Sequence, residues 1–308
     1  MKILVTGGAG FIGSHITDAL LQQGHHVHVV DNMSGGYAEN VNSAATFHKM
    51  DIMDSEIETL WMKEQFEVLY HLAAQMDVRK SVSNPVFDAQ INVMGTLNLL
   101  ESGRKNGLKK VVFSSTGGAI YGEPVYVPQD EHHINKPESP YGITKLVCEH
   151  YLRFYGTTYG INWVALRYAN VYGPRQNAHG EAGVVAIFTE KMLKNEPCYI
   201  NGDGLQTRDF VYVKDVVQAN VIALNHSKNG LFNIGTGQET NLITLFRYIK
   251  ALSGSTIDEL HAEAKAGEQR RSVLGTSLAE NELQWKCHFD LKVGLAETVG
   301  WFKNRLNG

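Results

Sequence analysis

The sequence is poor in cysteine and has no long apolar run. Its three cysteines, Cys148, Cys198 and Cys287, are far apart and form no CxxC pair. An odd, widely spaced set argues against a disulfide framework, so we expect a reducing, cytoplasmic setting. No stretch approaches the roughly 18 apolar residues of a membrane helix. The apolar run at residues 3–5 is too short for a signal peptide, so we expect none.

An excess of charge of either sign is also absent. Lysine and arginine total 28 and aspartate and glutamate total 32 among 308 residues, for a net charge of −4. This balance provides no basic surface for nucleic acid or anionic lipid, so we expect neither as a partner. Hydrophobic residues make up 43% and charged residues 19%, as in ordinary globular proteins. The length suffices for one large core or two smaller ones.

The sequence does contain a regular alternation of strand and helix patterns. Short apolar runs predict strands, and apolar residues spaced three to four apart predict helices. The predicted strands are 2–6, 27–30, 46–49, 68–71, 110–114 and 162–167, and the predicted helices are 11–23, 85–106 and 141–159. This alternation favours an α/β fold, a Rossmann-type doubly wound parallel sheet with helices on both faces.

The alternation loosens after residue 170. Residues 171–183 contain glycine and proline with few periodic apolar positions, which predicts a loop. Shorter patterns follow at 184–194, 198–200, 210–213, 216–225 and 231–234. We therefore predict a Rossmann domain over 1–170 and a smaller C-terminal substrate-binding domain mainly over 171–308. The chain is expected to return to the first domain around 210–235.

A glycine-rich turn separates the first predicted strand from the first predicted helix. In TGGAGFIG, Gly7, Gly10 and Gly13 are three residues apart. Such a turn lets a pyrophosphate approach the backbone, and the helix N-terminus offers it N–H groups. Asp31 ends the second strand, 18 residues after Gly13, where a carboxylate can bind the adenosine ribose hydroxyls. No arginine or lysine lies between Asp31 and Lys49, which favours NAD over NADP. The simpler interpretation is a tight turn with a chance aspartate.

The stretch SPYGITK places Tyr141 and Lys145 one helical turn apart. A phenol with a pKa of about 10 needs help to act as a base, and a nearby ammonium favours the phenolate. Thr116, at the end of a predicted strand, can hydrogen-bond the same substrate oxygen. The alternative is a core tyrosine beside a solvated lysine, because Y-x-x-x-K is frequent by chance. In combination with the glycine turn, the pattern favours chemistry.

Together these stretches resemble the extended short-chain dehydrogenase/reductase family. The similarity rests on TGGAGFIG, Asp31, HLAAQ, NVMGTLNLLE, SSTGGAIYG and SPYGITK. RYANVYGPRQ and GDGLQTRDFVYVKD are similar to the nucleotide-sugar epimerase branch, which includes the UDP-glucose 4-epimerases. The resemblance implies a bound NAD that takes a hydride from C4 of a UDP-hexose, UDP-glucose or UDP-galactose. The 4-keto sugar then turns, and the hydride returns to its other face.

The resemblance also implies roles for individual residues. Thr116, Tyr141 and Lys145 correspond to the catalytic threonine, the base and its lysine partner. The implied cofactor-binding residues are Gly7, Gly10, Phe11, Ile12, Gly13, Asp31, Asn32, Asp51, Ile52, Leu72, Ala73, Ala74, Gln75, Asn92, Tyr141 and Lys145. The implied substrate-binding residues are Thr116, Asn170, Arg208, Lys265, Glu268 and Ser272. From the residues alone, Asn170 is equally a turn residue and Arg208 equally a partner of Asp209.

The stretch KAGEQRRSVL departs from the pattern of the family. Lys265 stands where a diphosphate-binding arginine is usual, and lysine lacks the bidentate fork, for which Arg270 or Arg271 would compensate. Gly275 stands where many relatives have an aspartate. Ser272 corresponds to a position that lines the sugar pocket near C2, so its small side chain implies tolerance of UDP-GlcNAc and UDP-GalNAc.

Other activities of the family are weaker alternatives. Gly117 and Gly118 follow Thr116 where 4,6-dehydratases carry an Asp-Glu pair, so elimination lacks its acid and base. A UDP-glucuronate 4-epimerase or another NAD-dependent nucleotide-sugar oxidoreductase stays open, with Arg79 or Arg175 as the cation for C6. A non-catalytic NAD-sensing regulator or scaffold is the third alternative, against which the intact Thr-Tyr-Lys set argues.

Histidine spacing and two long helices complete the sequence-based predictions. The histidines show no metal-ligand spacing, so we expect no metal. His25, His26, His28, His132 and His133 are predicted to be solvated. Helices corresponding to 85–106 and 141–159 form a four-helix dimer interface in the family, which implies a homodimer. Alternatively, their apolar faces only cover the sheet.

Overall fold

The chain divides into two compact units. The structure, a computed structural model, describes residues 1–179, 183–264 and 269–307. The first unit, here called the sheet unit, comprises Met1–Ile120, Pro137–Arg167 and Val217–Phe232. The second unit comprises Tyr121–Lys136, Tyr168–Val216 and Asn233–Gly308. The chain therefore enters the sheet unit three times.

The elements alternate through the first half of the chain. The strands are β1 (Lys2–Thr6), β2 (His26–Asp31), β3 (Thr46–Lys49), β4 (Val68–His71), β5 (Lys110–Thr116), β6 (Asn162–Tyr168), β7 (Asn170–Tyr172), β8 (Tyr199–Asn201), β9 (Thr207–Arg208), β10 (Phe210–Tyr212), β11 (Gly230–Ile234), β12 (Thr240–Asn241) and β13 (Leu260–Ala262). The α-helices are α1 (Phe11–Gln22), α2 (Glu56–Glu64), α3 (Val78–Ser83), α4 (Pro85–Ala89), α5 (Gly95–Lys105), α6 (Gly117–Ile120), α7 (Pro140–Tyr159), α8 (Val184–Leu193), α9 (Val213–Asn225), α10 (Leu242–Ser253) and α11 (Leu291–Asn307). A 3₁₀ turn spans Ala38–Asn40, and π-helical turns span Gln90–Met94 and Ala279–Leu283.

A parallel sheet of seven strands forms the centre of the sheet unit. Its strand order is β11-β6-β5-β4-β1-β2-β3, and β1 pairs in parallel with both β2 and β4. The order reverses at β1 and β4, as in doubly wound folds, so the carboxyl ends of these strands form the expected ligand-binding edge. The predicted α/β fold with a parallel sheet is confirmed.

The sheet is stabilised by an apolar core beneath α2, α5 and α7. Trp61, Phe66, Leu99 and Leu152 are buried there against the apolar strand residues. Burying an aliphatic or aromatic side chain of this size contributes about 1.5–3 kcal/mol. This packing explains why short apolar runs form strands here although they carry little periodicity.

The helix predicted over 85–106 is interrupted. It starts at Pro85, passes through the π-helical turn Gln90–Met94 and continues to Lys105. The widened turn contains Asn92, whose buried side chain bonds residues outside the helix. A π-helical turn commonly marks a functional position.

The second unit packs three helices together and carries short strand pairs. Helix α10 packs against α8 and α11, with Phe188 and Phe246 in edge-to-face contact at 5.7 Å between ring centroids. Strands β7 and β10 pair in parallel, as do β8 and β13, whereas β9 and β12 are antiparallel. Within the described residues, none of the helices combines the length and apolarity that a bilayer crossing requires.

Two of the histidines predicted to be solvated are buried. His28 stacks on His48 across strands β2 and β3, with Nδ1 and Nε2 3.0 Å apart. His133 is buried where its Nε2 accepts from the Val125 amide at 3.0 Å. The prediction for these two residues is wrong because each has a polar partner that allows its burial. The partner of His28 is on another strand, and that of His133 is in an irregular loop.

Candidate active site

The glycine turn after β1 has no room for side chains. Gly7 has φ +72°, and a Cβ there would lie 2.7 Å from the Ala73 nitrogen. A Cβ on Gly13 would lie 2.2 Å from the Gly7 carbonyl oxygen. Helix α1 begins after Gly10 with no side-chain cap and no acidic residue in its first turn. Its N–H groups and partial positive charge are therefore available to an anion such as a diphosphate.

Asp31 is fixed beside this turn. Its Oδ2 accepts from the Ala9 amide at 3.0 Å, and its Oδ1 accepts from the Met33 amide at 2.8 Å. Each carboxylate oxygen can accept more than one hydrogen bond. The side chain therefore keeps capacity for ribose hydroxyls while its orientation is set by the backbone.

Three of the predicted cofactor-binding residues, Asn32, Asp51 and Ile52, lie next to β2 and β3. The Asn32 side-chain amide donates to Asp51 at 2.7 Å. Asn98 donates to the Ile52 carbonyl at 2.8 Å, and Ile52 packs on Gly95, where a Cβ would lie 2.5 Å from its Cδ1. Helix α5 thus holds this segment in place.

Residues 72–75 follow β4 and are held from two sides. The Ala73 amide donates to Thr6 Oγ1 at 3.3 Å. The Gln75 amide donates to Asn92 Oδ1 at 2.8 Å, and Asn92 Nδ2 donates back to the Gln75 carbonyl at 3.0 Å. The structure therefore brings residues 72–75, Asn92 and the glycine turn to one edge of the sheet.

His71 connects these groups, and sequence reasoning assigned it no role. Its Nδ1 lies 2.8 Å from Thr6 Oγ1 and its Nε2 lies 2.9 Å from Thr96 Oγ1. Because Thr96 donates its proton to the Asn92 carbonyl at 2.5 Å, it must accept from His71, which fixes the Nε2–H tautomer. Burial lowers the pKa of His71 to about 3, so the ring is neutral.

Thr116, Tyr141 and Lys145 lie within the sheet unit at the end of β5 and the start of α7. Helix α7 begins at Pro140, and the preceding Ser139 accepts from the Gly142 amide at 3.1 Å, an ordinary N-cap. Lys145 is buried, and its Nζ donates to the Ser114 carbonyl at 2.9 Å. That Nζ lies 5.9 Å from the centroid of the Tyr141 ring.

The protein surroundings act against the predicted acidity of Tyr141. Desolvation raises the pKa of the phenol, and the Asp88 carboxylate raises it further. Desolvation lowers the pKa of Lys145 to about 8, against the raising effects of Cys148, Asp88 and Glu149. The prediction that Lys145 makes the phenol acidic is therefore wrong for the protein groups alone, because burial and the Asp88 carboxylate determine the direction of the Tyr141 pKa.

A buried ion pair fastens α7 to the sheet one turn beyond Lys145. Glu149 accepts from Arg167 Nε at 2.9 Å and Nη2 at 2.6 Å, and from the Ser115 hydroxyl at 2.6 Å. Both charged side chains are almost fully buried. Glu149 thereby joins α7 to β5 and β6, next to Thr116 and Lys145. Sequence reasoning missed this contact.

In the second unit, the backbone of Asp209 connects three of the predicted substrate-binding positions. Asp209 follows Arg208 directly, its amide donates to the Ser272 carbonyl at 2.9 Å, and its carbonyl accepts from the Asn170 amide at 2.9 Å. The side chain of Asn170 is exposed and that of Ser272 is buried. Lys265 and Glu268 lie outside the described residues.

Arg270 and Arg271 are each bound to a carboxylate. Arg270 makes two bonds to Asp203, at 2.7 and 2.8 Å. Arg271 makes two bonds to Glu239, at 2.9 and 2.5 Å. Either guanidinium would have to leave its carboxylate to compensate for Lys265. Among the described residues, no three histidine, cysteine or acidic side chains come together as a metal site requires.

Comparisons with known proteins agree with this geometry. The model of the NAD dependent epimerase/dehydratase family matches residues 3–235. The crystal structure of the Thermotoga maritima UDP-glucose 4-epimerase with UDP-glucose is 49% identical, covers 99% of this chain and 100% of its own, and has a TM-score of 0.98. The crystal structure of the Thermus thermophilus UDP-glucose 4-epimerase in complex with NAD is 42% identical and has a TM-score of 0.92. The match covers 98% of this chain and 99% of that chain.

A third similar structure is an epimerase for an N-acetylated sugar. The UDP-N-acetylglucosamine 4-epimerase of Methanobrevibacter ruminantium, in complex with UDP-N-acetylmuramic acid, is 36% identical over 99% of this chain and 98% of its own, with a TM-score of 0.93. The family model spans well over half of the sequence. The chain belongs to the NAD-dependent epimerase/dehydratase family.

Proposed function

We propose that this chain is an NAD-dependent epimerase that inverts C4 of a UDP-hexose. The observation that carries the proposal is the convergence of the glycine turn, Asp31 and the Thr116, Tyr141, Lys145 set within the sheet unit. The relatives named UDP-glucose 4-epimerase supply the substrate class. UDP-glucose and UDP-galactose are the proposed pair of substrates.

The described residues fit NAD. The close packing at Gly7 and Gly13 leaves backbone N–H groups and no side chain where a diphosphate would bind. Asp31 is oriented for the ribose, and residues 72–75 with Asn92 continue the same edge toward α7. Bound to these residues, NAD would supply an acceptor for the C4 hydride and a positive charge that would favour the phenolate.

Three side chains perform the proton chemistry in this proposal. Tyr141 takes the proton from the sugar 4-hydroxyl, as a general base must when C4 becomes a carbonyl. Thr116 accepts from the Ala119 amide at 3.3 Å, so its own proton can be donated to the sugar oxygen. Lys145, held by the Ser114 carbonyl, stabilises the phenolate that burial alone disfavours.

Asn170, Arg208 and Ser272 are proposed to bind the UDP-sugar, together with Lys265 and Glu268. The support is the arrangement around the Asp209 backbone in the second unit. A guanidinium at Arg208 suits a diphosphate. The small Ser272 side chain leaves space for an N-acetyl group, so we propose that UDP-GlcNAc and UDP-GalNAc are also substrates.

The activity is tested with Tyr141→Phe in a coupled assay that follows conversion of UDP-galactose to UDP-glucose. We expect turnover to fall by about 10³-fold, because the base is lost while the ring is kept. Tyr248→Phe, a change on the other unit, serves as the control and should leave turnover intact. Undiminished turnover in Tyr141→Phe would remove the proposed mechanism, and bound NAD without turnover in the unmodified protein would indicate a binding protein.

The range of sugars is tested with Ser272→Tyr on a panel of UDP-galactose, UDP-GalNAc and UDP-galacturonate. A bulky side chain should reduce turnover of UDP-GalNAc by about 10–200-fold and change UDP-galactose far less. If the unmodified protein leaves UDP-GalNAc untouched, the proposed tolerance is wrong. If it prefers UDP-galacturonate, the uronate alternative replaces the hexose.

A homodimer is proposed through the helices that run from Pro85 to Lys105 and along α7. Both carry half-exposed apolar side chains at helical spacing, among them Val86, Met94, Ile143 and Phe154. Such a stripe is typical of a helix that packs on another helix. Sedimentation equilibrium should give twice the chain mass of 34.2 kDa, and Phe154→Arg should lower it to one chain. A single-chain mass for the unmodified protein contradicts the proposal.

A cytoplasmic location is proposed on the state of the cysteines. Cys148, Cys198 and Cys287 are free thiols, and the first two are buried. Free thiols persist in reducing compartments. Fractionation of cells producing the protein should recover it with cytoplasmic markers, and recovery with an oxidising compartment would contradict the proposal.

A further inference from the structure

A buried carboxylate lies behind the helix that carries Tyr141 and Lys145. Asp88, on α4, has no exposed surface, and α4 packs directly against α7. A fully buried carboxylate is costly unless hydrogen bonds or charges compensate it. Its surroundings therefore indicate what it does.

Among the residues that the structure describes, every side-chain partner of Asp88 belongs to the candidate site or adjoins it. Its Oδ1 accepts from Gln75 Nε2 at 2.9 Å and from Asn92 Nδ2 at 3.2 Å. Its Oδ2 accepts from the Thr144 hydroxyl at 2.8 Å. Gln75 and Asn92 hold the segment after β4, and Thr144 directly precedes Lys145. One carboxylate thus connects the proposed cofactor edge to the helix of the proposed base.

Lys145 is surrounded by groups that act on its charge. Cys148 and Glu149 face it from its own helix, Asp88 from α4 and His71 from β4, with Tyr141 one turn before it. His71 is neutral, and Glu149 is paired with Arg167. Within the described part of the chain, the side-chain partners of Asp88 are neutral hydrogen-bond donors, so an adjacent guanidinium does not offset its negative charge.

We propose that Asp88 is a positioning residue of this site, whose carboxylate fixes Gln75, Asn92 and Thr144 and keeps the Lys145 side chain in its ammonium form. The proposal rests on the proposed function in assigning Lys145 to the proton chemistry. It gives a role to the buried charge of Asp88, which by itself raises the pKa of Tyr141 and so disfavours ionisation of the phenol. The cation that helps the phenol would be lost at moderate pH without a neighbouring anion.

The substitution Asp88→Asn separates charge from shape. The remaining oxygen can still accept from Gln75 and Asn92. The introduced amide can donate to Thr144 Oγ1, whose proton then goes to the Tyr141 carbonyl, 3.0 Å away. The hydrogen-bond network is therefore retained while one negative charge is removed.

The charge is measured directly by NMR of the full-length protein labelled with ¹⁵N-lysine. The Lys145 signal is identified by its loss in Lys145→Met, and its titration midpoint should fall by about one pH unit in Asp88→Asn. Glu101→Gln is the matched control, since Glu101 accepts from the Tyr155 hydroxyl of α7 at 2.6 Å but does not adjoin Lys145. An unchanged midpoint in Asp88→Asn overturns the proposal, as does an equal change in the control.

The pH profile of kcat/KM gives a second readout. Removing a negative charge lowers the pKa of both Tyr141 and Lys145, so both limbs of the profile should move to lower pH. A purely structural role would lower activity at every pH and leave the limbs in place, which would contradict the proposal.

The positioning part is tested with Thr144→Val and Thr144→Ser, which also serve if Asp88→Asn does not fold. Loss of the hydroxyl should lower kcat about tenfold with KM unchanged, and serine should restore it. Equal kcat in all three proteins overturns this part. The NMR titration needs no turnover, so a failure of the epimerase proposal and a failure of this one give different results.

Discussion

At the scale of the residue, Gly13 determines whether the turn after β1 can form. We predict that Gly13→Ala lowers the free energy of unfolding by about 1–3 kcal/mol, because its Cβ would meet the Gly7 carbonyl at 2.2 Å. The displaced turn should also weaken NAD binding. Urea unfolding and a cofactor titration measure the two effects.

Gly300→Ala is the matched control for this change. Gly300 lies within α11, and nothing lies within 4 Å of the Cβ it would gain. Alanine is a better helix former, so the free energy of unfolding should rise by about 0.5–1 kcal/mol. Equal destabilisation by both substitutions would show that the close contact at Gly13 is not the cause.

At the scale of the element, α7 is fastened at successive turns to α6 and to the sheet. Gly142 lies against the Ala119 carbonyl, Lys145 bonds Ser114, and Glu149 bonds Ser115 and Arg167. We predict that Arg167→Met costs about 3–5 kcal/mol of unfolding free energy, because it leaves Glu149 buried and unpaired. Denaturant unfolding at neutral pH measures it.

The double substitution Glu149→Leu with Arg167→Met tests the cause. If the unpaired charge is responsible, the double variant should be more stable than Arg167→Met alone, with a coupling of about 1–3 kcal/mol. Additive losses would indicate lost packing instead. Restored stability with low turnover would show that the ion pair also positions Thr116 against Tyr141.

Some of the strands and helices could be predicted from the sequence, and others could not. Strands β1 and β4 were predicted with the observed bounds, because buried parallel strands are compact apolar runs. The bounds of β3 were also predicted, although its residues are mostly exposed. The π-helical turn at Gln90–Met94 was not predicted, because the Asn92 side chain that occupies it bonds Gln75 of another segment. Helix α10 was missed although its buried residues Leu242, Leu245, Phe246 and Ile249 are at helical spacing. Helix α11 was also missed, and it packs on α8 and α10.

In the site, too, local patterns could be predicted and contacts between distant residues could not. The glycine turn and the Tyr141–Lys145 spacing are local patterns, and they were recognised. Asp88, His71 and Glu149 act through partners distant in sequence, so no local spacing reveals them. The direction of the Tyr141 pKa was wrong for this reason, since burial and a carboxylate 53 positions away determine it.

At the scale of the whole molecule, buried and half-buried histidines make the fold sensitive to acid. The pKa values of His28, His48 and His71 are all lowered, chiefly by burial. The unfolded chain therefore binds more protons below pH 6.5, and stability is lost as pH falls. For a group with a large shift, such as His71, the slope reaches about 1.4 kcal/mol per pH unit between the pKa of the folded state and that of the unfolded state. For His71 the window extends from pH 6.5 to about 3.

Urea unfolding between pH 7.5 and 5 checks this dependence. In His71→Asn, the slope of the unfolding free energy against pH should decrease below pH 6.5 by the contribution of about one proton, about 1.4 kcal/mol per pH unit. His288→Gln, a change at an exposed position, should leave the slope as it is. A His71→Asn protein with the unmodified slope would show that another group causes the acid sensitivity.

The threefold entry of the chain into the sheet unit has a consequence during synthesis. Its last segment, Val217–Phe232, follows two of the three segments of the second unit along the chain, and β11 is an edge strand of the seven. A growing polypeptide on the ribosome can assemble β1 to β5 early, but the final strand emerges only after about three quarters of translation. Until β11 is synthesised, β6 is an edge strand with unpaired backbone groups, which makes the incomplete sheet prone to aggregation. Nascent chains that stall before this point should therefore depend on chaperones.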